Sequence, residues 1–276
     1  MHLIKGWVNL SLKLSVLASG SSGNIIYIES DETSILIDAG LSKKRTEILL
    51  NRIGKDLRDI KSIFISHEHV DHIRGIGVIN RCYDTLIYGN KDTLNCDKFK
   101  KTTGIINPDS LNFIESDESI ILGDLKITAF STSHDSINSQ FYMIEHEDKK
   151  LVCLTDIGHV DSKTLSIIKC ADVYLIESNH NVDLLLNGNR PEFNKQRILS
   201  KVGHLSNEDC GSVLSNCIDE NTHSIILCHL SNDHNNKSIA LKSVKKILSE
   251  NCSFFSNSLN IIAFTQKDDP TDFINV

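Results

Sequence analysis

Proline is scarce in this chain, with three residues in 276. No low-complexity tract accompanies that scarcity, so nothing reads as a linker, and no internal period marks a repeat architecture. Positive charge is also in deficit. The formal net charge is −7, which supplies no general electrostatic reason to bind a polyanion. A divalent metal or a local basic strip would have to reverse that sign at a site. Long apolar runs are missing too. None approaches the ~18 residues needed to cross a bilayer. The opening segment MHLIKGWVNLSLKLSVLASG has its leucines interrupted by Lys5, Asn9, Ser11 and Lys13, unlike a secretory core. No two of the eight cysteines form a CxxC pair, which argues against a thiolate zinc knuckle. The cysteines read as free thiols in a reducing cytoplasm, with Cys153 and Cys228 in apolar core runs.

The length fits one large α/β or sandwich domain. Short β-branched runs that end in polar or glycine clusters predict strands at 12–18, 24–30, 34–40, 62–67, 85–90, 125–131, 141–146, 150–156, 172–178 and 224–229. Helical periodicity fits 42–53, 73–83, 161–170, 192–201, 206–218 and 237–249. Ser206, followed by Asn207, Glu208 and Asp209, has the look of a helix start. Strands first, then strands alternating with helices, predict sheets covered by outer helices, an α/β sandwich. Five predicted strands end on ligand-type residues: Asp38, His67, Asp156, Glu177 and His229. Strand ends that feed loops are where α/β proteins place chemistry, so five of them suggest one rim.

The strongest local motif is SHEHVDH, which supplies His67, His69, Asp71 and His72 on a loop after a predicted strand. Neutral imidazole and carboxylate suit zinc and also accept manganese or iron. The bland alternative is a solvated, histidine-rich turn. That alternative does not explain why four ligand types crowd behind an apolar strand.

The HxHxDH motif resembles that of the metallo-β-lactamase fold, and the likeness continues in the family's order. LIDAG carries Asp38, STSHD carries His134, LTDIG carries Asp156 and LCHLS carries His229. The resemblance implies an αββα sandwich of two mixed sheets flanked by helices. It also implies two divalent ions, zinc or manganese with iron as a further option. His67, His69 and His134 are similar to one ion's ligands, and Asp71, His72 and His229 to the other's. Asp156 is similar to the carboxylate between them, and Asp38 to a buried aspartate that orients a ligand histidine. His234 matches no position in this pattern.

The fold alone names no substrate. The tetrapeptide HLSN occurs twice, at His204 and at His229. In nuclease and phosphodiesterase branches, a histidine between the bridging aspartate and the last ligand acts on the leaving group, and His204 stands at that place. ESNHN puts His180 in the same interval, as a residue that tunes His204 or holds substrate. The stretch from Asp156 to His204 is too short for the inserted domain of β-CASP nucleases, and no exosite arm like that of RNase Z is evident. LKLSVLASGSSGNIIYIES, SHEHVDHIRGIGV, ESNHN and LCHLSNDHN are similar to the YycJ/WalJ family of bacterial proteins. That resemblance implies metal-dependent 5′-to-3′ exonuclease action on DNA rather than RNA, in a DNA-repair setting, with Asp71, His180 and His204 in catalytic roles. It runs from about residue 11 onward, so 11–276 is expected to be one domain and 1–10 an N-terminal extension.

Substrate contacts are expected at Ser22 in the glycine loop SGSSGN, at Asn179, and at Arg190, Lys195 and Arg197 beside His204. The loop reads equally as a tight hairpin, and the basic helix as a solvated face. Two other functions compete: a thioester or other small-ester hydrolase of the same fold, and a metal-bound regulatory protein without activity. The complete ligand set argues against the last.

Overall fold

The computed structural model describes residues 11–256, 258–265 and 269–276. The expected extension at 1–10 lies outside the described residues. In chain order, β1 (Lys13–Ala18), β2 (Ile25–Glu29), β3 (Ser34–Ile37), β4 (Ser62–Phe64), β5 (Leu86–Gly89) and β6 (Leu111–Phe113) build the first sheet. The second contains β7 (Ser119–Leu122), β8 (Leu125–Ser131), β9 (Gln140–His146), β10 (Lys149–Leu154), β11 (Val173–Glu177), β12 (Ser224–Cys228) and β13 (Asn260–Ala263). The chain then returns to the first sheet, where β14 (Ile274–Asn275) pairs with β1. Both sheets are mixed: β1 to β3 and β7 to β10 run antiparallel, whereas β3 to β6 and β10 to β13 run parallel.

The helices are α1 (Lys43–Arg52), α2 (Val70–Ile73), α3 (Ile76–Tyr83), α4 (Lys91–Asn95), α5 (Asp97–Thr103), α6 (Ser162–Ile168), α7 (Val182–Asn187), α8 (Glu192–Leu199), α9 (Asn207–Ser215) and α10 (Lys237–Asn251). Alternate strand residues point to opposite faces, and both faces of each sheet are apolar. Val16, Ile28 and Phe64 meet Ile127, Ile144 and Leu175 between the sheets. Leu50, Ile79 and Phe99 cover the first sheet from outside, and Leu214, Val244 and Leu248 cover the second. The result is the expected αββα sandwich.

Two local departures have physical causes. The expected helix 73–83 is two helices, because the chain bends at Arg74 and Gly75 after the α2 turn that carries Asp71 and His72. Helices α4 and α5 were not anticipated. Their start signals are side chains, Asn90 and Cys96, which accept from the Thr93 and Phe99 amides, and they are too short to show a period. Ser206 does cap α9, its hydroxyl accepting from the Asp209 amide at 3.0 Å.

Candidate metal centre

Parallel strands of both sheets end at one edge, and their last residues turn sharply into loops. Asp38, Asp156 and His229 follow β3, β10 and β12 with φ of 59°, 53° and 55°. A left-handed backbone costs a non-glycine residue free energy, and such strain collects at functional sites. The HxHxDH loop follows β4, with His69 as the residue before α2. Gly40, in the turn after β3, lets the two loops touch. A Cβ there would lie 1.5 Å from the Asp71 carbonyl oxygen. That contact is held by the Asn24 amide donating to the Asp71 oxygen at 2.8 Å and the Ala39 amide to the His72 oxygen at 2.8 Å.

The imidazoles gather tightly. Ring centroids lie 4.5 Å apart for His67 and His69, 4.1 Å for His67 and His72, and 4.9 Å for His67 and His134. Ligating atoms of His67, His69 and His134 lie within 4.8 Å of one another, as do those of His67, His72 and Asp156. His72 Nε2 is 3.3 Å from one Asp156 oxygen and 3.6 Å from Asp71. His229 Nδ1 is 3.5 Å from the other Asp156 oxygen.

Four of these rings have Nδ1 held. Ser66 Oγ holds His67 at 3.0 Å, Asp38 holds His72 at 2.7 Å, the Gly203 carbonyl holds His134 at 3.3 Å and Glu177 holds His229 at 2.6 Å. Fixing one nitrogen selects the tautomer and aims the other. Asp38 does more than hold His72: it also accepts from the Ser66 amide at 2.9 Å and hydroxyl at 2.8 Å.

This donor set fits divalent metal. His67 Nε2, His134 Nε2, His229 Nε2 and Asp156 Oδ2 are buried without a hydrogen-bond partner among the described residues, an expensive arrangement for a polar interior unless a cation completes it. Burial lowers the pKa of His67, His69 and His134, which keeps them neutral with a lone pair to offer. Burial opposes charge on His229 as well, yet Asp156 and Glu177 push it up to about 10. A metal ion would take the place of that proton. Burial alone would raise Asp156, but His229, His72 and His134 hold it well below the ordinary carboxylate range.

His204 sits at the cleft edge of this cluster. Its ring centroid is 5.3 Å from His134 and 5.2 Å from His229. Glu177 accepts from His204 Nδ1 at 2.8 Å, which leaves Nε2 as the free nitrogen. The same carboxylate therefore holds both HLSN histidines. Its second oxygen accepts from the Ile157 amide at 2.9 Å and the Leu205 amide at 3.3 Å. Burial works against an ionised Glu177, but His204 and His229 bring its pKa down to about 2. This joint role was not readable from sequence, where Glu177 showed as one of five ligand-type strand ends.

A cleft of about 500 Å³ opens over the cluster, lined by His69, Asp71, His134, Asp156, His204 and His229. Asn179, His180, Arg190 and Arg197 also line it. Asn179 is spent on structure, its amide donating to the His229 carbonyl at 2.8 Å. Arg190 and Arg197 are paired with Asp233 at 2.7 Å and Asp135 at 2.5 Å.

Two expected substrate contacts lie elsewhere. Lys195 is 8% exposed and faces inward from α8, its ammonium donating to the Leu186 carbonyl at 2.6 Å. Ser22 is exposed outside the lining, and its neighbour Ser21 takes that place. The glycine loop also behaves as a hairpin: the Gly20 and Gly23 amides are bonded within it, to Asn24 Oδ1 at 2.8 Å and Gly20 O at 2.9 Å. Its service to the site is bracing. Ser19 Oγ accepts from the His229 amide at 2.8 Å, and Asn24 Nδ2 lies 3.0 Å from His72 Nε2.

The eight cysteines are all unpaired. No helix of the described residues is long and apolar enough to cross a membrane.

Comparison with known proteins agrees with this architecture. Residues 33–230 match the family model of the β-lactamase superfamily domain. The chain is 39% identical over 241 residues to the exodeoxyribonuclease YycJ of Bacillus anthracis, covering 87% of this chain and 90% of that protein. It is 41% identical over 231 residues to the exodeoxyribonuclease WalJ of Streptococcus pneumoniae serotype 2, covering 84% and 86%. Among solved structures it resembles the metallo-β-lactamase fold protein YhfI of Bacillus subtilis, with a TM-score of 0.70 at 15% identity over 96% of this chain and 100% of that one. A sandwich of two mixed sheets, a histidine and aspartate cluster at their common edge and these identities agree: the chain belongs to the β-lactamase superfamily and, within it, to the YycJ/WalJ family of metal-dependent hydrolases.

Proposed function

We propose that this protein is an exodeoxyribonuclease that removes nucleotides from the 5′ end of DNA with two divalent ions, zinc or manganese. The observation that carries the reading is His204. It stands between the metal ligands and the cleft, with a carboxylate on Nδ1 and Nε2 free, the arrangement of an imidazole that gives a proton to a leaving group. Both relatives at about 40% identity are exodeoxyribonucleases.

His67, His69 and His134 would hold one ion, and Asp71, His72 and His229 the other, with Asp156 between them. Bound metal supplies Lewis acidity for a phosphoryl oxygen and an acidified water. The chain's own groups do the rest. Asp38 and Glu177 keep the Nδ1 protons of His72 and His229 in place, so that Nε2 serves as ligand. His204 delivers its proton from Nε2 to the departing oxygen, and ionised Glu177 stabilises the imidazolium before that transfer. Arg190 and Arg197, at the cleft wall, exchange their aspartates for phosphates of the strand.

The test is incubation of zinc- or manganese-loaded protein with end-labelled DNA, RNA and a model thioester. Stepwise, metal-dependent shortening of DNA, lost in Asp71→Ala and His204→Ala, is the expected result. Intact DNA with rapid thioester turnover would overturn the reading in favour of a small-ester hydrolase.

A further inference from the structure

Two buried imidazoles in the cleft have no task in the metal centre. His180 is 1% exposed and His234 5%, and both line the cleft beside the candidate metal ligands. Neither nitrogen of His180, nor Nε2 of His234, has a hydrogen-bond partner among the described residues. The backbone fixes both residues side by side. The His180 carbonyl accepts from the Asn207 amide at 2.8 Å, and the next amide, Asn181, donates to the His234 carbonyl at 3.0 Å. Leu185, Ile198 and Leu230 add aliphatic surface to the same cleft.

The buried pair suits something other than a phosphate. The cations near it, Arg190 and Arg197, are held by Asp233 and Asp135 and reach the strand's phosphates only by releasing them. Burial lowers the His180 pKa to about 4, so that ring is neutral. The neutral His180 ring, the His234 ring beside it, the Asn194 amide and aliphatic walls suit a flat heterocycle with polar edges and apolar faces. A neutral imidazole presents one donor and one acceptor and can exchange them between its nitrogens. Such a ring adapts to more than one base edge.

We propose that His180 and His234, with the aliphatic surface of Leu185, Ile198 and Leu230, form the subsite for the terminal nucleobase of the strand being degraded. This rests on the DNA reading above and adds to it. A cleft of about 500 Å³ is the size of a small-ligand pocket, with room for a single nucleotide.

The test is equilibrium titration of the metal-loaded protein with the four deoxynucleoside 5′-monophosphates and with 2-deoxyribose 5-phosphate, which has no base. The mononucleotides are expected to bind roughly tenfold tighter or more, with little preference among bases. His180→Ala and His234→Ala should remove most of that advantage. Gly188→Ala provides a milder perturbation, because its methyl would meet His234 Cε1 at 2.4 Å; it should weaken mononucleotide binding and spare the sugar phosphate. Equal binding of the two ligand types, no binding of either, or an advantage intact in all three variants would overturn the subsite. DNA shortened without any base advantage sinks the subsite alone. A base advantage without DNA shortening leaves the subsite standing and sinks the exonuclease reading.

Discussion

Replacing Glu177 by glutamine changes one atom in a buried group and should disable two histidines at once. One carboxylate oxygen accepts from His204 Nδ1 and His229 Nδ1, and the other from the Ile157 and Leu205 amides. Glutamine has one acceptor and one donor end. The backbone amides cannot change their protons, so the glutamine oxygen must face them. Its NH₂ then faces both imidazoles, and each must move its proton from Nδ1 to Nε2. His229 thereby loses the lone pair it would offer a metal, and His204 loses the carboxylate that stabilises its charged form. Each charge-assisted bond lost is worth about 1.5–3 kcal/mol. Loss of such an outer partner lowers metal affinity by about 10–100-fold, and a wrong tautomer in an acid–base pair costs on the order of 10⁴ in kcat. The assay has two arms: zinc binding by competition with a coloured chelator, and single-nucleotide release from end-labelled DNA. A Glu177→Gln protein with undiminished zinc affinity and near-normal rates would refute the reasoning, since it would show that neither proton position matters.

His204 and His229 should part company when deleted singly. His229→Ala should bind less metal, whereas His204→Ala should keep its metal and lose about 10²–10⁴ in rate; metal analysis of both purified variants decides, and equal metal loss refutes the split. Asp38→Asn should act on His72 as Glu177→Gln acts on His229, with a roughly 10–100-fold weaker metal affinity and the fold intact by circular dichroism. Gly40→Ala drives a methyl into the Asp71 carbonyl and should cost about 3 kcal/mol or more in urea unfolding. Removal of metal by a chelator should lower the melting temperature, and restored zinc should recover it in a concentration-dependent way.

The histidine and aspartate cluster was legible in sequence because its signal is local. Four ligand-type residues share one loop, Asp38, Asp156 and His229 follow apolar strands, and His134 stands three residues past β8, places that topology carries to one edge. What side chains do beyond that is set by direction and by distant partners. Lys195 has the charge of a phosphate contact, but its position on α8 turns it onto the Leu186 carbonyl. Glu177 acquires its role only when His204 and His229 arrive from 27 and 52 residues away. The stretch from residue 91 to 122 was hardest to read. Its helices are short, and β7 alternates between exposed and half-buried positions instead of sinking into the core.

Beneath the cleft, the two HLSN copies are fastened to each other. Asn207, from the first copy, and Asn235, just past the second, exchange amide hydrogen bonds of 3.1 and 2.8 Å, and Ser178 adds a third to Asn207 at 2.6 Å. Asn235 also holds the Ser178 and Asn179 carbonyls at 2.8 and 3.1 Å. Three loops thus share one buried amide knot. None can lift away without leaving polar groups unsatisfied in the others, so they form one cooperative opening unit. Amide protons at 179, 207 and 231 should exchange with solvent at a common rate, and the site should come apart all at once, not loop by loop.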